Sequence, residues 1–137
     1  MNGDIPKYVL DCFALYAYFV GGQGGEKVKK LVEDALNQEV YLYLSIMNYA
    51  ELYYVTYKKL GESKAKAITN DTRILPLKIE SITDGQVFGA AELKSHFNIS
   101  FADAFAAHLT EKLNATLVTG DPEFVGMQDK IRVFWLG

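Results

Sequence analysis

The sequence predicts an α/β layer sandwich with a mostly parallel central sheet. Three observations carry that expectation. Short runs of β-branched and aromatic residues alternate with longer stretches of helical periodicity. The chain of 137 residues is half hydrophobic, ample for one compact core in a single domain spanning residues 1–137. No repeat, low-complexity tract or linker interrupts it.

Each element follows from local pattern. Lys7–Leu10 reads as a short buried strand running into Asp11, and residues 13–20 as a helix stopped by Gly21, Gly22, Gly24 and Gly25. Over residues 26–37, Val28, Leu31, Val32, Ala35 and Leu36 recur at helical spacing, with Lys27, Lys29, Lys30, Glu33 and Asp34 on the other face. Residues 40–44 have strand character; Ser45 leads into a helix over residues 46–60 that ends at Gly61 and contains Glu51. A short helix over 62–71, a strand over 74–79 despite Pro76, and a helix over 83–96 come next. The remainder reads as a helix over 101–113, a strand over 115–119, a helical turn over 121–124 and a last strand over 131–136.

Composition narrows the function. One cysteine, Cys12, excludes an intramolecular disulfide framework and reads as a small buried apolar residue. The longest apolar run, residues 8–20, falls short of the roughly 20 residues a membrane helix needs and is broken by Asp11, so no span is expected and a cytoplasmic location fits. A net charge of −3 gives no global attraction for a polyanion, so contact with nucleic acid requires local cations or bound metal. His96 and His108 are too sparse for a zinc site or a triad.

Four acids stand in company that looks built for burial. Asp11 and Asp121 follow strands, and sites in open α/β sheets form outside the carboxyl ends of strands. Each acid has a structural alternative. Asp11 suits an N-cap, Asp103 with Ser100 fits a capping box, and Asp121 before Pro122 resembles a cap with proline in the first turn. Glu51 sits mid-helix, where a solvated face is the alternative. Brought together, four carboxylates would repel one another unless a divalent cation neutralised them, and hard oxygen ligation suits Mg²⁺ or Mn²⁺ and phosphoryl chemistry.

At this point YVLDCFALYAYF, MNYAELYYVTYKK, ISFADAFAAHL and ATLVTGDPEF resemble, in order, the four acidic blocks of the PIN domain. Chain length and the ending IRVFWL resemble especially the VapC-type ribonuclease toxins of toxin–antitoxin pairs. The resemblance implies a three-layer α/β/α sandwich, a metal site of Asp11, Glu51, Asp103 and Asp121 with Thr119 beside it, Mg²⁺- or Mn²⁺-dependent cleavage of RNA, an antitoxin partner and a homodimer. One departure stands out: family members often carry a small hydroxyl or amide residue two places after the first Asp, where this chain has Phe13.

Two other classes compete. A catalytically weak PIN module would bind RNA or protein without cutting. A receiver or haloacid-dehalogenase-like phosphatase would want a DxD after the first strand, which is absent, or a lysine near the last strand, where Trp135 stands. The helical spacing of Tyr49, Tyr53, Tyr54 and Tyr57 favours core or protein interface over base stacking, and Lys58, Lys59, Lys64 and Lys66 read as solvated.

Overall fold

The computed structural model describes residues 4–137; the first three residues of the expected 1–137 unit lie outside it. In chain order come β1 (Lys7–Leu10), α1 (Cys12–Val20), α2 (Gly25–Leu36), β2 (Tyr41–Ser45), α3 (Ile46–Leu60), α4 (Glu62–Arg73), β3 (Lys78–Glu80), α5 (Asp84–His96), α6 (Phe101–Leu113), β4 (Thr116–Thr119), a 3₁₀ turn (Pro122–Met127) and β5 (Arg132–Trp135). The strands form one sheet in the order β3-β2-β1-β4-β5, and every pair is parallel.

Neighbouring residues of the inner strands are both buried, as a sheet covered on both faces demands. Val9 and Leu117 pack with Ala90, Leu93, Ala106 and Leu109 of α5 and α6. Leu10, Leu44 and Val118 face the other way, onto Leu15, Val28, Leu52 and Ile68 of α1 to α4. These are the three layers that the resemblance implied. Among the described residues no helix is long and apolar enough to cross a membrane.

The expected elements are all present, with boundary corrections that have local causes. Helix α1 starts at Cys12, one residue early, because Asp11 caps it. Gly25 belongs to α2 rather than to the glycine loop, since a Cβ there would lie 2.7 Å from the carbonyl oxygen of Ala17. The strand expected over 74–79 is only Lys78–Glu80: Pro76 has no N–H to give, Leu75 and Leu77 spend theirs on the turn carbonyls of Thr72 and Leu75, and pairing with β2 begins at Tyr43 and Lys78. Tyr49 ties α3 to α4 by donating its hydroxyl to the Thr69 carbonyl at 2.6 Å, while Tyr54 and Tyr57 remain about half exposed.

Candidate metal centre

The sheet register determines which side chains meet. β1 lies between β2 and β4, where the strand order reverses, and Leu10 pairs with both Leu44 and Val118. The next residues, Asp11, Ser45 and Thr119, therefore leave the carboxyl edge side by side, at the switch point where open α/β sheets bind ligands. Asp11 Oδ1 accepts from Ala14 N at 2.9 Å and starts α1; Ser45 Oγ accepts from Met47 N at 3.2 Å and starts α3. Three residues apart on α3, Asn48 and Glu51 share a face, and Asn48 Nδ2 donates to Glu51 Oε1 at 3.2 Å and to the Ala102 carbonyl at 3.3 Å. That amide fixes Glu51 relative to the first turn of α6, which carries Asp103.

Asp11, Glu51, Asp103 and Asp121 line one cleft of about 370 Å³. The tightest acidic group differs from the expected four: one carboxylate oxygen each from Asp103, Asp121 and Glu123 lies within 4.8 Å of the others, and Glu123 joins Asp103 and Asp121 from beside the cleft rather than from among its lining residues. Asp11 and Glu51 line the same cleft outside that trio. Glu123 was not anticipated, because Asp121-Pro122-Glu123 reads as an ordinary helix start; the available signal was a second acid two residues on.

The capping roles turn out to be how the acids are aimed. Ser100 Oγ accepts from Asp103 N at 3.2 Å, but the capping box is not closed by Asp103, since the Ser100 N–H goes to Glu123 Oε1 at 3.0 Å. The Asp103 side chain is thereby released toward the cleft. Asp121 Oδ1 caps the 3₁₀ turn by accepting from Glu123 N at 2.9 Å. Thr119 joins the two strand-end acids: its hydroxyl donates to Asp11 Oδ2 and accepts from Asp121 N at 3.0 Å.

Crowding and burial shift the charges. Burial pushes the Asp11 carboxyl up to about 7, with Asp121 and Glu51 adding to the rise and the Thr119 and Ala14 hydrogen bonds opposing it. Asp103 is raised by burial, by its hydrogen bond with Glu123 and by the charges around it, while Glu123 is lowered by the same bond and by the Ser100 amide. Burial also raises Glu51 and holds the Cys12 thiol protonated. Asp103 Oδ2 is buried and has no hydrogen-bond partner. An orphaned buried carboxylate oxygen beside two further carboxylates is a donor set that fits a hard divalent cation such as Mg²⁺ or Mn²⁺.

Comparison with known proteins bears on the family and the fold. The family model described as the PIN domain matches residues 8–130. No curated protein sequence matches the chain. The fold is similar to that of VapBC2 from Rickettsia felis bound to a DNA fragment from their promoter, at 20% identity over 96% of this chain and 99% of that one, with TM-score 0.71. It is similar to Mycobacterium tuberculosis VapC20, a sarcin–ricin loop cleaving toxin, at 15% identity over 90% and 95%, TM-score 0.72, and to DNA-bound VapBC from Salmonella typhimurium at 16% over 96% and 99%, TM-score 0.70.

Proposed function

The chain belongs to the PIN domain family, and from that membership we propose that it is a Mg²⁺- or Mn²⁺-dependent endoribonuclease, the toxin of a toxin–antitoxin pair acting in the cytoplasm. The observation that carries the reading is the buried, unpartnered Asp103 Oδ2 in a trio with Asp121 and Glu123. Asp103, Asp121 and Glu123 would hold the cation, with Asp11 and Glu51 completing its surroundings from β1 and α3. A divalent cation held there would supply charge neutralisation for the acids and the scissile phosphate and would lower the pKa of a bound water.

The remaining work falls to the chain. Thr119 keeps Asp11 turned to the cleft, and Asn48 keeps Glu51 turned toward α6. Glu51, whose pKa is raised by burial, accepts the proton that the attacking water gives up. In-line attack of that water on phosphorus would then break the bond to the departing 3′ oxygen, which takes a proton from solvent, and leave a 5′-phosphate and a 3′-hydroxyl.

A catalytically weak binding module is the second reading, and Phe13 in place of a small polar residue favours it. Incubating RNA with the protein in Mn²⁺, in chelator, and with Asp103→Asn separates the two. Metal-dependent cleavage lost in the variant supports the nuclease; RNA retained uncut by wild type in Mn²⁺ supports the module. The VapBC complexes among the similar folds support an antitoxin partner, for which a guanidinium able to pair two carboxylates has the right chemistry.

A further inference from the structure

Two side chains in the cleft wall take no part in holding a cation. Phe13 follows Asp11 by two residues and is 38% exposed. Its ring occupies the space that a Cβ on residue 120 would fill, so Gly120 lets the ring lie against the backbone between Thr119 and Asp121. One edge is thus fixed while the rest of the ring lines the cleft. Across from it, Glu51, Val55 and Lys59 descend one face of α3 at four-residue intervals, all lining the cleft. The Lys59 ammonium lies 5.0 Å from the Tyr16 ring centroid. Among the described residues Lys59 is the one basic side chain lining this cleft, and an aromatic face orients its charge without cancelling it.

An acidic cleft in a chain of net charge −3 repels a polynucleotide, so a substrate phosphate beside the acids needs a local cation. The Phe13 ring is 38% exposed in a cleft that it shares with Asp11, Glu51, Asp103 and Asp121. We propose that Phe13 is the platform on which a substrate base stacks and Lys59 the anchor for a backbone phosphate of the same strand. The inference rests on the nuclease reading above. A base reaches the Phe13 face only when splayed from its stack, which loops and single strands permit and a duplex does not. Because every base has a π face, stacking on Phe13 adds affinity without reading sequence. Neither residue touches the reacting atoms, so both are positioning residues.

The test uses the full chain with a short single-stranded RNA and the same strand annealed to its complement, in Mn²⁺. Phe13→Leu, which keeps apolar bulk without a π face, is expected to raise KM on the single strand about tenfold, the scale of one lost base–aromatic stack, with kcat, Mn²⁺ affinity and Tm unchanged. Phe13→Trp is expected to restore KM, and its added emission to be quenched by the RNA independently of cleavage. Lys59→Gln is expected to raise KM and reduce the slope of log affinity against log salt by about 0.7, with Lys59→Arg close to wild type. The proposal is overturned if wild type cuts RNA but Phe13→Leu leaves KM unchanged, if its loss appears only in kcat, or if the Phe13→Trp emission ignores RNA. Absence of both cleavage and binding by wild type overturns the nuclease reading and this inference with it, a result distinct from the other three.

Discussion

Asp11 and Asp103 carry their burial at a cost that depends on pH. The Asp11 carboxyl, near 7 in the fold and about 3.9 in an unfolded chain, binds its proton more tightly when folded. Its contribution to stability is therefore complete below about pH 4 and is lost as pH rises through 7; the raised Asp103 continues the trend. We expect the Tm of metal-free protein to fall between pH 5 and pH 8, and Mn²⁺ to restore more of it at pH 8, by calorimetry at both values. A flat profile would remove the crowded-acid account. Asp103→Asn is expected to lower cleavage by more than about 100-fold, beyond the roughly 10–100-fold of an outer-shell loss, while metal-free Tm stays level or rises. Thr119→Val should behave differently: it strips both the donor to Asp11 and the acceptor for Asp121 N, so stability should drop by about 1–3 kcal/mol in urea melts along with activity. At this scale the sequence was readable where an acid stood among buried apolar residues, as at Asp103. Glu123 is hidden in the sequence because its exposed turn, Asp-Pro-Glu, needs no metal to explain it, and Lys59 because it stands among Lys58, Lys64 and Lys66, which read as a solvated set.

Elements were legible wherever periodicity was long or a turn residue had one use. Helices α2, α3 and α6 meet both conditions. The short edge strand β3 does not, because in the apolar run ahead of it Leu75 and Leu77 pack over a turn rather than pairing, while Ile74 stays exposed. The glycine cluster was read only as a breaker, whereas Gly25 is needed for closeness. Gly25→Ala, despite its helical position, is expected to destabilise the α1–α2 corner by about 1–3 kcal/mol, the range for overpacking against an unyielding neighbour. An unchanged urea midpoint would show that the corner can open. Conversely Thr83, whose hydroxyl and Gln86 form a reciprocal capping box at α5, should cost about 1 kcal/mol on replacement by Ala without touching cleavage.

For the molecule as a whole, a homodimer is expected, with the half-exposed Tyr54 and Tyr57 of α3 in or near its surface; light scattering that reads a monomer at tens of micromolar (roughly where a standard interface associates) would remove it. Titration with the antitoxin expected from the neighbouring gene should block cleavage and weaken Mn²⁺ binding together, and changing its arginines to Ala should abolish both effects; inhibition without loss of Mn²⁺ affinity would defeat displacement of metal by arginine. Layering and strand direction were accessible from alternation alone, but the adjacency of Asp11 and Thr119, 108 residues apart, was not, because strand order is set by packing of whole layers. That adjacency orders events in time. A chain made from its amino end has β1, β2 and Glu51 long before β4 slots in beside β1, and the trio of Asp103, Asp121 and Glu123 exists only once residue 123 has been added. Under the nuclease reading proposed above, the message being translated and the ribosome translating it would meet only an incomplete site until residue 123 has been added.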